Sequence, residues 1–317
     1  NRLVLFDISE FSLYQAEQKL TASLDQSELV TIIGNVTNQS RLEKILKKYK
    51  INTVYHAAAY KHVPLVEKNI IAGVRCNIFG TLSCISAAIK MKVESFVFIS
   101  TDKAVRPTNI MGATKRFAEQ ILQSIYQSGL TQEDISTRIS IVRFGNVLGS
   151  SGSVVPLFKR QIKNGGPLTV TDPNIIRYFM TPKEASQLVI QAGSMGVRGE
   201  IFLLDMGEPV KVHELAKDMI QLSGKSVKDN ENPDGDIEIR FTGLRPGEKL
   251  YEELLIDSKS EPTEHKKIFI AKENSRTWDQ IKILLEELTA ATENEDYEGI
   301  RTIFLKAVDG YAPESSS

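Results

Sequence analysis

Short, continuous apolar runs recur along the first two-thirds of the chain, at Leu3–Phe6, Val30–Ile33, Thr53–Tyr55, Ser95–Ile99, Ser140–Phe144 and Ile201–Leu204. Between them lie stretches where apolar residues return every three or four positions: Leu13–Leu24, Arg41–Lys50, Gly73–Lys92 and Gly112–Ser128. An uninterrupted apolar strand is one buried on both faces, and a helix-length segment is what a parallel strand pair needs as its crossover. Right-handed crossovers then predict a doubly wound α/β sheet with helices on both sides. After about Gly149 the rhythm breaks. Glycine, proline and polar residues rise up to Pro182, and a Pro/Asp/Asn-rich loop fills Asp229–Asp236. The helical pattern Pro182–Ala192 and the strand Ile201–Leu204 return one more unit to the sheet. What remains, with helices near Trp278–Thr289 and Asp296–Val308, predicts a smaller α+β domain on the strands' carboxyl ends. The tail Pro313–Ser317 is expected to fray.

Composition narrows the class. The chain has 317 residues, 39 basic against 40 acidic side chains and 41% hydrophobic residues. That balance lacks the basic excess of a nucleic-acid binder and supplies ample core. The two cysteines, Cys76 and Cys84, have neither disulfide-framework nor zinc-ligand spacing, and the four histidines share no ligand spacing, so no metal is expected. No apolar run approaches the roughly 18 residues of a membrane helix, and no signal peptide opens the chain. The expectation is a cytoplasmic segment without membrane contact of its own.

Asp7 ends the first strand. An acidic residue there either hydrogen-bonds an adenosine ribose in a dinucleotide fold or caps the next helix. The glycine fingerprint of such a fold precedes that residue by about 20 positions. Only six residues do so here, and no G-x-G-x-x-G occurs. The chain is therefore expected to begin at the second strand, with the first strand and fingerprint missing; the doubly wound domain becomes residues 1–148 and about 182–212, and the smaller one about 149–181 and 213–317. Gly34-Asn35-Val36 follows the strand Val30–Ile33, where a polar side chain can hold an adenine edge. The small residues Ala57, Ala58 and Ala59 follow Thr53–Tyr55 and allow close backbone approach. His56 reads as a packed histidine rather than a catalyst.

The most specific segment is Phe98-Ile99-Ser100-Thr101-Asp102-Lys103-Ala104, followed by Met111-Gly112-Ala113-Thr114-Lys115. It resembles the extended short-chain dehydrogenase/reductase family, and more narrowly the UDP-N-acetylglucosamine 4,6-dehydratases of bacterial polysaccharide and glycan biosynthesis. The resemblance runs from Leu3 to about Ala312 and includes the stretches His56–Pro64, Val142–Gly149 and Leu244–Lys249. The departure is Met111, which stands where the family carries a tyrosine, and a thioether moves no proton. The resemblance implies that proton chemistry has passed to Thr101, Asp102 and Lys103; a chain that only binds nucleotide is the non-catalytic alternative.

The implied reaction oxidises carbon 4 of the sugar, eliminates water across carbons 5 and 6, and returns the hydride to carbon 6. It makes Lys103 the base at carbon 5 and Asp102 the acid at the carbon 6 hydroxyl, with nearby positive charge expected to favour a deprotonated Lys103. Thr101 would bond the carbon 4 oxygen, Asp102 would take the carbon 4 hydroxyl proton, and Met111 would pack beside sugar and nicotinamide. Lys115 would hold the nicotinamide ribose, with Asn77, Ser100 and Phe144 also at the cofactor. That cofactor is NAD, since Asp7 repels a 2′-phosphate, with NADP left open. The loop Gly145-Asn146 to Gly152-Ser153 leads into the helical Val154–Lys163. It reads either as a phosphate-binding helix start or as a turn that needs glycine. The resemblance puts Asn146, Ser153 and Val154 on a UDP-sugar's diphosphate, with Arg245 as its main cation, Arg177 as a second and His62 nearby. Glu248 is implied at a ribose hydroxyl, and the backbone of Thr169–Thr171 at a uracil edge. A sugar-nucleotide 4-epimerase or a 5-inverting dehydratase is the runner-up. The family habit of pairing through helices such as Gly73–Lys92 and Gly112–Ser128 implies a homo-oligomer, and relatives with an N-terminal membrane region imply the same upstream of this segment.

Overall fold

The computed structural model describes residues 2–23, 28–126, 136–253 and 260–313. Leu24 and Ser128, which end two expected helices, and residues 314–317 lie outside them. The chain opens with β1 (Leu3–Asp7), α1 (Glu10–Thr21), β2 (Leu29–Ile33), α2 (Gln39–Tyr49) and β3 (Thr53–His56). Three short helical pieces follow, α3 (Val63–Lys68), α4 (Ile70–Val74) and α5 (Gly80–Lys90), the last two joined by a π turn at Arg75–Phe79. Then come β4 (Ser95–Ile99), a 3-10 turn at Asp102–Ala104, α6 (Ile110–Ile125) and β5 (Arg138–Arg143). These strands fall where the apolar runs do, because β4 and β5 are buried on both faces.

β6 (Asn146–Val147), α7 (Val154–Lys163), β7 (Leu168–Val170), β8 (Ile176–Arg177) and β9 (Phe179–Met180) precede α8 (Pro182–Met195) and β10 (Arg198–Leu204). The chain finishes with β11 (Val210–Lys211), α9 (Val212–Leu222), β12 (Val227–Lys228), β13 (Ile237–Phe241), β14 (Ser260–Pro262), β15 (Ile268–Ala271), α10 (Trp278–Glu293) and α11 (Tyr297–Ala307). The main sheet runs β14-β15-β10-β5-β4-β3; β3, β4, β5 and β10 are parallel and β15 antiparallel to β10. β1 pairs with β2 alone, as a separate parallel ribbon. The smaller unit is the parallel sheet β12-β13-β7 covered by α7 and α9, with Phe158, Leu168, Ala216 and Ile237 in its core.

Three features differ from the sequence expectation. Residues 260–312 do not join the smaller unit: β15 extends the main sheet, and α10 and α11 pack over α6 through Ile281, Leu288, Ile300 and Phe304. Every residue of α6 but Gln123 is buried within one chain, between the sheet on one side and these helices on the other. Finally, Ile70–Lys90 is one helical run long and apolar enough to cross a membrane. Val74, Ile78, Ile85 and Ala88 along it are fully buried, which makes it a core helix.

Candidate active site

β4 delivers Ser100 to the edge of the sheet, and the next three residues form the chemical centre. Thr101 is extended (φ −148°, ψ 155°) and caps the 3-10 turn, its hydroxyl accepting from Lys103 N–H. The same hydroxyl donates to Asp102 Oδ1 at 2.8 Å, and Lys103 Nζ donates to that oxygen at 3.0 Å. Asp102 is 1% exposed, and its Oδ2 is buried with no hydrogen-bond partner among the described residues. A buried acceptor left over beside a cation is poised to receive a proton or a ligand donor. Gly112, in the first turn of α6, keeps this arrangement compact, because a Cβ there would run into the Lys103 carbonyl.

A third charged group comes from far along the chain. Glu252 Oε1 lies 3.4 Å from Lys103 Nζ, its side chain is almost fully buried, and its Oε2 is likewise unpartnered among the described residues. Burial alone would strip the Lys103 proton, but Asp102 and then Glu252 outweigh it and hold the ammonium above its ordinary range. The expected bias toward a neutral Lys103 rested on Lys115 and an oxidised nicotinamide; the chain's own carboxylates bias it the other way. The second carboxylate responsible could not be placed from sequence.

Lys103 and Glu252 open into one cleft, which also carries His62, Asn146, Ser153, Val154, Thr169, Thr171, Arg177, Arg245 and Glu248. All ten residues expected at the substrate are therefore brought together, but not all have free groups. Arg177 donates to the carbonyls of Ile176, Lys249 and Leu250 and pairs with Glu248, so it clasps the 248–252 segment instead of offering its fork to a ligand. Thr169 N–H and Oγ1 are both taken by the Gln161 carboxamide, which turns that amide away from reading a base. Glu248 accepts from Thr171 Oγ1 and Arg245 N–H. At the start of α7, Ser153 Oγ is buried without a partner among the described residues, and the loop before it turns at Gly149 and Gly152, with φ of +72° and +70°. The His62 ring fills the space a side chain at Gly152 would need. Besides Glu252, sequence reasoning missed Lys61 and Asn109 in the lining. The available signal was the pair Glu252 and Glu253, which begins three residues after Lys249 of the Leu244–Lys249 motif.

At the other end of the site, Lys115 is buried, donates to the Ile99 carbonyl at 2.6 Å and lies 3.8 Å from the Phe98 ring centroid. Burial pulls its pKa down to about 7, with Glu119 opposing. Asp7 Oδ1 accepts from Ser9 N–H, so the carboxylate serves as a local cap, and its other oxygen has no hydrogen bond among the described residues. Ala57 and Ala58 are exposed at the end of β3. Asn35 is folded onto Thr37, and Val36 packs in the core. Asn77 is spent on both backbone groups of Tyr60 and on Thr114, and Ser100 donates to Glu119, so these two support the site from behind. Phe144 lines a second, apolar pocket with Tyr55 and Val189. Met111 is 3% exposed, belongs to the core cluster that also holds Val66, Ile70 and Phe304, and does not line the cleft, because that cluster encloses it.

Comparison with known proteins adds the lineage. Residues 1–273 match the family model described as polysaccharide biosynthesis protein. The capsular polysaccharide biosynthesis protein CapD of Staphylococcus aureus is 46% identical over 289 residues, covering 90% of this chain and 46% of CapD. The chain thus spans about half the length of that relative. The structure of Pen from Bacillus thuringiensis superposes with a TM-score of 0.74 at 34% identity, covering 88% of this chain and 81% of Pen. DesIV from Streptomyces venezuelae, a dTDP-glucose 4,6-dehydratase with NAD and TYD bound, gives 0.66 at 19% identity, covering 80% and 78%, a likeness of fold.

Proposed function

We infer a function for a chain that belongs to the polysaccharide biosynthesis protein family, a branch of the extended short-chain dehydrogenases/reductases: it dehydrates UDP-N-acetylglucosamine across carbons 5 and 6. The observation that carries this reading is the Thr101-Asp102-Lys103 cluster with Glu252 beside it: Lys103 and Glu252 open into a cleft that also holds Ser153, and Asp102 Oδ2, Glu252 Oε2 and Ser153 Oγ are buried without partners among the described residues. Elimination needs an acid and a base within reach of one sugar ring. One proton shift along the 3.0 Å bond, from Lys103 Nζ to Asp102 Oδ1, converts the resting ion pair into an amine base and a carboxylic acid. Thr101 Oγ1 donates its proton to Asp102 and accepts from Lys103 N–H, so toward a sugar it offers a lone pair to a hydroxyl. The start of α7, Ser153 and the exposed Arg245 supply donors and charge for a diphosphate.

A nicotinamide cofactor, NAD on the reading of Asp7, supplies a hydride acceptor and donor for carbons 4 and 6 when bound. The residues suit it. Asp7 keeps one carboxylate oxygen for a ribose, the backbone at Ala57–Ala58 is open to close approach, and the Lys115 ammonium has donors beyond its single bond to Ile99.

The test is the product formed from UDP-N-acetylglucosamine by the full-length protein with NAD, read by mass and NMR. Loss of one water with retained configuration at carbon 5 is expected. An epimer at carbon 4 or an unchanged substrate refutes the reading, and loss of water with an inverted carbon 5 replaces it by the 5-inverting dehydratase. Asp102→Ala and Lys103→Ala should abolish that product while calorimetry shows nucleotide binding within a few-fold of wild type.

A further inference from the structure

We propose that Glu252 is a positioning residue: with Asp102 it forms a two-carboxylate cradle that decides whether Lys103 or Asp102 holds the proton they share. The geometry is specific. Lys103 Nζ stands 3.0 Å from Asp102 Oδ1 and 3.4 Å from Glu252 Oε1, while the second oxygen of each carboxylate is buried without a partner among the described residues. Two carboxylates against one ammonium leave the trio with one net negative charge. Arg177, on β8, lies 4.0 Å from the same Glu252 oxygen, but it also faces Glu248 at 3.4 Å. Glu252 therefore directs its charge mainly at Lys103.

Its position is built rather than incidental. The segment leading to Glu252 is pinned from two sides. Arg177 holds the carbonyls of Lys249 and Leu250, while Thr108 and Asn109 donate to the Gly247 carbonyl and Lys249 Nζ donates to that of Val105. The anchors at 105–109 belong to the loop that immediately follows the Asp102–Ala104 turn, so cradle and cluster move as one body.

The consequence is a bias on one proton. In the shift that arms the site, an N–H bond of Lys103 breaks and an O–H bond of Asp102 forms, with no other reactant. An ionised Glu252 acts twice on the state before the shift, attracting the ammonium at 3.4 Å and repelling the Asp102 carboxylate, and the attraction at contact distance carries the bias toward that state. Glu252→Gln keeps the shape and removes the charge, leaving Asp102 and Arg177 as the charged neighbours of Lys103.

The primary test needs no turnover, so it stands or falls separately from the dehydratase reading, on which only the use of the proton depends. Competitive labelling of the purified chain with 1-fluoro-2,4-dinitrobenzene across pH, read by mass spectrometry, titrates Lys103 against the exposed Lys44 of α2. The Lys103 midpoint in wild type should lie above that of Lys44. In Glu252→Gln it should fall, raising the reactive fraction of Lys103 about tenfold at a fixed pH below the midpoint, with Lys44 unmoved. Coincident Lys103 curves for the two proteins overturn the proposal. Should Glu252→Gln fail to fold, a wild-type Lys103 midpoint at or below that of Lys44 overturns it equally. In the full-length protein, the limb of the kcat/KM profile that reports Lys103 should move to lower pH in Glu252→Gln, with KM for the nucleotide sugar within threefold. A lost KM with an unmoved profile would assign Glu252 to substrate binding and reject the cradle.

Discussion

Replacing Glu119 by Gln should remove about 3 kcal/mol of stability at neutral pH, and the loss should fade in acid. Glu119 sits on α6 with no exposure. It receives Arg143 Nε at 2.8 Å and Nη2 at 2.6 Å, Arg116 Nη1 at 3.0 Å and the Ser100 hydroxyl at 2.5 Å. Arg143 makes a second fork to Glu273, and Arg116 reaches Glu273 at 3.0 Å, closing a buried ring of two arginines and two glutamates. Burial pushes the Glu119 carboxyl up, but Arg143 and Arg116 overcome it and bring it down to about 2. A carboxyl drawn from its ordinary 4.5 to about 2 is linked to about 3 kcal/mol, at the low end of the roughly 3–5 kcal/mol lost when one partner of a buried pair is removed. The folded pKa is the depressed one, so this stability is complete above about pH 4.5, roughly halved by pH 3 and gone below pH 2. Urea unfolding of wild type and Glu119→Gln at pH 7 and pH 3 measures both values. A difference below about 1 kcal/mol at pH 7, or one that does not shrink at pH 3, would refute the reasoning. Ser100 is one residue before Thr101, so the variant should also lower turnover.

Gly112→Ala should lower turnover about a hundredfold, the order of cost for an ångström of misplacement, because the new methyl must push α6 off the Lys103 carbonyl; wild-type product formation would contradict this. Met111→Leu, a volume-conserving change in the core, should cost under about 1.5 kcal/mol and leave turnover within about tenfold, whereas Met111→Tyr should destabilise by about 1–3 kcal/mol and restore no activity. Urea unfolding paired with the product assay reads both, and a gain in turnover for the tyrosine variant would mean that this position reaches the reacting sugar. Lys115 titrates near 7 when folded against 10.5 ordinarily, so the unfolded chain binds the extra proton between those values and stability should rise with pH across that window. Lys115→Met should remove the rise, its melting-temperature advantage over wild type being largest below pH 7 and shrinking toward pH 10; parallel curves would refute the shift.

The local period of the chain determined its elements. Val154–Lys163 and Ser95–Ile99 were readable to the residue, and β5 and β10 to within three, because a strand buried on both faces must be apolar throughout and a helix on one face must repeat every 3.6 residues; β1 and β3, only partly buried, were readable to within one from their β-branched and apolar runs. The Thr101-Asp102-Lys103 cluster was legible for a similar reason: its members are consecutive, and one tight turn is enough to gather them. Tertiary structure decided what depends on partners distant in sequence. It turned Met111 into the core, returned β15, α10 and α11 to the main sheet, and spent Arg177 on carbonyls that became its neighbours only when the 248–252 segment folded across β8. It also chose the charge on Lys103. Sequence showed one carboxylate beside that lysine, whereas packing brought up a second, Glu252, and an ionisation state is set by the sum of nearby charges and lost water, which no linear spacing records.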